Sequence, residues 1–550
     1  MNTYNIFRFF IVVVVFSCSL VAKSQTGAYY FNALSGNDIN EGTSPLKAWR
    51  SLVKIKDITL KPGDRILLAA NQSFKGSLNI IDASGSKELP ILIATYGNKE
   101  KPFAKIQGKG QHQALLIRNT SFIEVKNLWL TASKKENKPV TASKDMRCGL
   151  LVEVTKPKIY EHIYLTQLKV ANVFFENKGF VRPQEEVKTA NGTQNYGWGI
   201  RFINNTEGGL LRDIKLDSSI IENVGHTGIK FTARNKNHQH AIIDFQISNT
   251  KVSRTGGPGI QMSGVKNGHV FNNIVAYSGS NNDTRKWGRG SGLWTWGSSD
   301  VLIEKNRFTD ANGPGDSAGA HIDYNCNNIV LQYNFSANNA GGFCEILGNN
   351  YNCSYRYNIS VNDGYRVKGE NGAFQEGKIF WLSAFAGNTR KGPYNSYFYN
   401  NTIYVKEAIQ TKIAIDRLAK GVLIANNIFY IKGNSKQVKG DQYLPQKNGK
   451  GLAKQVVFEN NLFLHSASWP KEMPLQGTKS VVGDAKFVNP GGLYPVDYTP
   501  TNRQLIKNKG IVIPNITNDT IGIVYGLLLM KDILGNPLVG LPDLGAIEIK

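Results

Sequence analysis

Leu331-Gln332-Tyr333-Asn334-Phe335-Ser336 is the phrase on which the fold turns. Apolar or β-branched residues lead into an Asn, and a residue that is again often apolar or aromatic follows it. The phrase recurs as VFNNIV at Asn273, IEKNRF at Asn306, YRYNIS at Asn358, FYNNTIY at Asn401, IANNIF at Asn427 and FENNLF at Asn461. Successive Asn residues lie 33, 28, 24, 43, 26 and 34 apart. A gap of 24 with longer gaps around it describes one structural unit carrying insertions of variable length. The pieces are short, rich in Val, Ile, Phe and Tyr, and separated by Gly and Asn, with no sustained apolar stripe of helical period. Asn tolerates a left-handed turn, and its amide can bond to the Asn of the next coil, making a ladder. A coil of about 22 to 24 residues suits three short strands and three turns. The expected fold is therefore all-β: a right-handed parallel β-helix, with coils about 4.8 Å apart.

Composition agrees and narrows the partners. The 550 residues carry 65 basic and 41 acidic side chains, a formal charge of +24, with 41% hydrophobic residues. That share supports a sizeable core and excludes a disordered or collagen-like chain. The charge predicts a polyanionic partner. Met1 to Arg8 carries one cation, Phe9 to Val21 is almost wholly apolar, and Ala22-Lys23-Ser24 supplies small residues around a cleavage point. Thirteen apolar residues fall short of the roughly 20 that span a bilayer. Residues 1–24 thus read as a secretion signal, and losing Arg8 and Lys23 takes +24 to +22. A lipoprotein acylated at Cys18 is the rival reading, with Val where Leu is usual three residues earlier. A secreted or periplasmic destination leaves an acidic polysaccharide as the expected partner, with no nucleic acid and no transmembrane segment; the chain is expected to be a monomer. The remaining cysteines, Cys148, Cys326, Cys344 and Cys353, form no CxxC pair and read as small buried hydrophobes, with a disulfide among the last three as the alternative.

Solenoid ends need caps. Ser44-Pro45 followed by LKAWRSLVKIKDI reads as a short amphipathic helix, and Lys61-Pro62-Gly63-Asp64 turns into the strand RILLAA. DILGNPL at Asp532 and DLGAIE at Asp543 read as closing coils. The expected organisation is one β-helix domain over 25–550: cap and first coils to about 110, repeat coils with insertions over 111–480, and C-terminal coils and cap over 481–550. On these segments the chain resembles the pectate-lyase-like superfamily of secreted β-helix proteins. The stretch GDSAGAHIDYN…LQYNFSANNAGGFCEILG is similar to that of β-helix proteins exported by Bacteroidetes-like bacteria. The resemblance implies a carbohydrate-active enzyme without fixing its chemistry, because the fold hosts lyases, hydrolases, esterases and adhesins.

Unusual residues crowd between Arg285 and Trp381. Arg285, Trp287, Arg289, Trp294 and Trp296 interleave guanidinium groups with indoles, which suits a platform for an anionic glycan: flat faces for sugar C–H groups and bidentate contacts for carboxylate or sulfate. Arg366, Lys368 and Trp381 extend it. Three acids and a histidine follow within fourteen residues: Asp310, Asp316, His321 and Asp323. Asp310 and Asp316 also suit simple turn capping. If Ile322 points inward, alternation sends His321 and Asp323 outward together. Glu345 lies 22 residues after Asp323, one coil, with Cys344 then above Ile322. Two carboxylates on one outward strip shift each other's proton affinity, the arrangement glycoside hydrolysis needs. One tension accompanies this register: aligning Asn306 with Asn334 stacks Leu293 and Thr295 on His321 and Asp323. Trp294 then turns inward unless the longer loop shifts the pairing by one. Stacked acids also suit calcium; no other cofactor is expected. A polysaccharide lyase is the alternative enzyme, and His226, Lys230, Arg234, His238 and His240 gather the basic groups it would need. A non-catalytic glycan-binding adhesin is the alternative outside enzymes. Neither an Asp-Asp doublet of the polygalacturonase type nor an Arg-x-His-Gly stretch occurs.

Overall fold

Short β-branched segments, punctuated by left-handed residues, stack into three long parallel sheets. The computed structural model describes residues 26–133, 146–189, 192, 195–236, 239–438, 453, 455–473, 475, 479–520 and 522–550. The expected leader, with Cys18, and His238 lie outside the described residues. Each coil passes through the first sheet, then the second, then the third. The first sheet holds 14 strands from Ala28–Phe31 to Val456–Glu459, and the second 14 from Ser73–Lys75 to Val481–Val482. The third holds 12, from Leu78–Ile81 to Ser435–Gln437. The chain is an all-β, right-handed parallel β-helix.

The Asn ladder holds the corner between the first and second sheets. Each amide donates to the next Asn's Oδ1 at 2.9–3.0 Å, from Asn273 through Asn306, Asn334, Asn358, Asn401 and Asn427 to Asn461. The left-handed residue is not the ladder Asn but the one before it: φ is 55° at Asn272, Lys305 and Tyr333, and 52° at Tyr357. The turn and the bond are thus divided between neighbours, and Tyr or Lys is tolerated at the turn.

Inward positions fill the core in register. In the third sheet Ile200, Ile229, Ile260 and Leu293 pair in sequence, each fully buried. Burial of each such side chain is worth about 1.5–3 kcal/mol. Beside them runs a row of glycines. A Cβ on Gly292 would stand 2.3 Å from the carbonyl oxygen of Gly319 on the next coil, so the close approach of backbones admits no side chain. The long connections, residues 174–196, 279–292, 310–319 and 362–377, all join the second sheet to the third and collect at one corner.

The ends differ from expectation. The capping helix is one short 3-10 segment, Leu52–Asp57, which buries Leu52 and Ile55. Residues 46–50 are instead occupied by Trp49, which bridges to Phe31 in parallel and stacks on Tyr29. The C-terminal segment adds no further coil among the described residues. It runs back outside the barrel: Leu544, Ala546 and Ile547 cover the second sheet, and Ile523 the tyrosines of the first. Cys148, Cys326, Cys344 and Cys353 are all buried and unbridged, as the hydrophobe reading expects.

Candidate active site

The third sheet presents one outward row to the corner loops. Gln261 pairs with Trp294 and Trp294 with His321. Ile322 pairs with Ile346 and Ala318 bridges Gly342, which sets Glu345 beside His321; Glu345 then pairs with Trp381. This corrects the expected register by two residues: Glu345 stands on the His321 rung, not the Asp323 rung, and Ile346 rather than Cys344 adjoins Ile322. One extra residue in the turn 323–326 also shifts the preceding coil by one, so Trp294, not Leu293 or Thr295, lies over His321. Their rings stack at 5.9 Å and 19°. Trp294 faces the groove.

Asp316 and Asp323 bracket this strand. Asp316 and Ser317 are both left-handed, with φ of 48° and 64°, a strained pair at a loop tip. The loop is clamped from two sides. Arg366 Nη1 donates to the carbonyls of Gly313 and Asp316, each at 3.0 Å, and the Phe374 amide donates to that of Pro314 at 3.0 Å. Arg289, 1% exposed, grips the Asp316 carboxylate with Nε at 2.7 Å from Oδ2 and Nη2 at 3.0 Å from Oδ1. A bidentate guanidinium favours the anion.

Asp323 has the opposite surroundings. Its amide donates to Thr295 O at 2.9 Å, and among the described residues its Oδ1 accepts only from the Tyr324 amide, at 2.8 Å. Burial pushes its carboxyl up to about 8, with the nearby charge of Asp316 adding and Arg289 opposing. Glu345, 8% exposed, is also raised to about 8 by burial; Lys378 opposes, and Asp316 and Asp323 add. His321 is pushed down to about 4, mainly by burial, and its Nδ1 lies 3.0 Å from Ser291 Oγ. At neutral pH the cluster therefore pairs one gripped carboxylate with two protonated acids and a neutral imidazole.

Four of the five expected catalytic residues thus share one electrostatic cluster. Asp310 does not join it: it occupies a left-handed turn beyond the second sheet, and its charge acts on Tyr365. Among expected binding residues, Trp294 and the 36% exposed Trp296 line the groove, and Trp296 stands beside Asp323. Trp287 is no platform. It is buried, stacks on His226 at 4.4 Å and donates from Nε1 to Glu186 O. Arg289 and Arg366 position the Asp316 loop, and Arg285 is bound to Asp283 at 2.6 Å while lying on Phe174. Lys368 is exposed on the 362–377 connection, and Trp381 is buried under the Lys378 ammonium, 3.7 Å from its ring centre. Lys378, Ser291, Gln375 and Tyr324 escaped the sequence reading. Lys378 was within reach of it, being three residues before Trp381, and so was Tyr324, next to Asp323; Ser291 meets His321 across 30 residues, and Gln375 accepts from the Asp316 amide across 59. Arg234 pairs with Glu207, and His226 is buried between aromatics, so the upstream basic stretch does not form one cluster. Among the described residues, no group of three His, Cys, Asp or Glu side chains is placed to hold a metal ion, and no helix is long and apolar enough to cross a membrane.

A cleft of about 820 Å³ adjoins the Asp316 loop, between residues 181–188 and 365–374, with Trp287, Pro314 and Arg366 in its walls and Lys286 at its edge. Residues 198–365 match the family described as "Right handed beta helix region". The chain is similar to a lacto-N-biosidase of Bifidobacterium longum subsp. longum, 24% identical over 637 aligned positions that cover 96% of this chain and 36% of that protein. It thus spans little more than a third of the curated relative it matches. Two crystal structures of a GH136 lacto-N-biosidase from Eubacterium ramulus are similar in fold. The native form has a TM-score of 0.54 at 18% identity, covering 76% of this chain and 68% of that one. The selenomethionine form has a TM-score of 0.53 at 19% identity, covering 76% and 67%.

Proposed function

We propose that this β-helix is a carbohydrate-active enzyme, a glycoside hydrolase that cleaves a glycan laid along the third sheet. The opposite treatment of Asp316 and Asp323 carries the reading. Asp323, protonated at neutral pH, donates its proton to the leaving oxygen as the glycosidic C–O bond breaks and its electron pair passes to that oxygen. Asp316, gripped by Arg289, supplies the carboxylate that attacks the anomeric carbon or deprotonates the attacking water. Glu345 acts as a neutral hydrogen-bonding neighbour, and Trp294 and Trp296 supply sugar-facing surface. The similar proteins named lacto-N-biosidase support glycosidase chemistry on this scaffold.

Asp323→Asn should lower kcat on the natural glycan about 10²–10⁴-fold while sparing aryl glycosides whose leaving groups need no proton. Asp316→Asn should abolish both activities. Equal loss on both substrates in Asp323→Asn would remove it as the acid. We further propose that the substrate is anionic: Lys286 and Lys368 stand at the cleft and its rim, and the chain carries +24 overall. Reducing-end release from neutral, uronate and sulfated glycans tests this, and ultraviolet absorbance of an unsaturated uronate would instead reveal β-elimination. We also propose, from the leader read in residues 1–24, that this chemistry takes place outside the cytoplasm, which cell fractionation checks.

A further inference from the structure

The outward row continues past Trp294 toward the N-terminal coils, and there it becomes cationic. Arg201 pairs with Lys230, Lys230 with Gln261 and Gln261 with Trp294. Ile200, Phe202, Ile229 and Phe231 fill the core, so Arg201 and Lys230 point outward from the coil, on the row that carries Trp294 and His321. Arg201 is 4% exposed and Lys230 7%. Both lie against the fully buried Trp198, with the guanidinium carbon 4.3 Å and the ammonium nitrogen 4.7 Å from its ring centre. Arg201 also directs Nη1 at Met146 Sδ, 3.0 Å away.

Two like charges on strands about 4.8 Å apart repel, and poor solvation strengthens the repulsion. Gln261, on the other side of Lys230, is neutral and turned toward Ser263 and Thr227 at 3.4 and 3.5 Å. Among the described residues Lys230 makes no ion pair or hydrogen bond; its one polar contact is the indole face. Burial and the Arg201 charge together hold the Lys230 ammonium well below the ordinary lysine range. The Glu153 charge favours the Arg201 guanidinium, but among the described residues the buried Lys230 side chain faces no acid, and an arriving anion would supply one.

We infer that Arg201 and Lys230 form a binding site for an acidic group, a carboxylate or a sulfate, carried on a sugar about three coils from the cleaved bond. The inference rests on the proposed hydrolase reading for the direction of the glycan, since Lys230 stands three rungs, about 14 Å, from His321. It places the acidic group well away from the reacting ring.

Calorimetric binding to full-length Asp323→Asn tests the site without cleavage. Three probes separate the sources of charge: tetragalacturonate, a sulfated galactotetraose and neutral galactotetraose. At least one acidic probe should bind ten-fold or more tightly than the neutral one, and the two acidic arms show which group the site takes. Adding Lys230→Met should reduce that preference to under two-fold, while Lys230→Arg keeps most of it. Equal binding of all three probes, or a preference that survives Lys230→Met, overturns the inference. Should Lys230→Met fail to fold, the melting midpoint of the Asp323→Asn parent decides: an acidic probe must raise it more than the neutral probe does, and equal shifts overturn the site. The two readings fail separately. Acid preference without cleavage by the wild type removes the hydrolase and keeps the site; cleavage without acid preference does the reverse.

Discussion

A carboxyl that gives up a proton at neutral pH has to be kept protonated there, and Asp323 is kept so by lack of solvent. With its carboxyl raised to about 8, kcat/KM should fall as pH rises through about 8, where an ordinary carboxyl would have lost its proton near 4. Glu345→Gln replaces one neutral neighbour with another, so the enzyme should stay active with its alkaline limb in place; a pH–rate profile of both proteins checks this. The same burial has a sign for stability. The folded Asp323 holds a proton that the unfolded chain releases near 4, so stability is lost as pH rises from about 4 to about 8. Asp323→Asn should therefore have the higher melting midpoint at alkaline pH, with the difference closing in acid. The indoles separate by exposure. Trp296→Ala should raise KM roughly ten-fold with little change in stability, because it borders the groove. Trp287→Ala should cost about 3–5 kcal/mol of stability, read by denaturant unfolding, because it is buried.

Strands and corners carry the second set of consequences. Asn334 is fully buried; its amide donates to Ile303 O at 2.9 Å and Asn358 Oδ1 at 3.0 Å, while its Oδ1 accepts from the Asn306 backbone and side chain, each at 3.0 Å. Asn334→Leu strands those partners, at about 1–3 kcal/mol for each group left unsatisfied. It should lower the unfolding midpoint more than any exposed substitution on the same coil, such as at Lys305. This ladder was legible in the sequence because its partners are one residue type at recurring distances. The register of the third sheet was legible from the same ladder, but counting 22 from Asp323 to Glu345 missed it: Ile322 pairs with Ile346 at the 24 residues that separate Asn334 from Asn358. What stayed hidden was the one-residue shift between Trp294 and His321, because it lies in the turn 323–326 and not in the repeated phrase. The acids were legible as types, and Asp316 and Asp323 fell together. Their division into gripped and ungripped was not, because Arg289 reaches Asp316 across 27 residues.

At the scale of the whole chain, a solenoid leaves its outer faces open unless something lies on them, and here residues 483–550 do. Tyr397 Oη donates to Asp519 at 2.7 Å, and Asn426 Nδ2 to Ile511 O at 2.8 Å. Ending the chain at Val482 should uncover Tyr397, Tyr399 and Leu423 and produce soluble aggregates on size-exclusion chromatography, with the strand signal retained in circular dichroism. Sequence suggested closing coils there because the segment is rich in Gly, Asp and aliphatic residues, as a coil is. Its one similar phrase, IVIPNIT at Asn515, puts Pro where the left-handed residue must stand before a ladder Asn, and that was the readable sign. The corner connections lead elsewhere. They differ greatly in length, yet the asparagine and glycine rows fix every rung without them. Recognition and architecture are thus written in largely separable parts of the chain: Asp316 and its Arg289 grip ride on the connections 310–319 and 279–292, but a lineage can trade the 174–196 overhang for another, and so change its diet, while Asp323 keeps its seat on the third sheet.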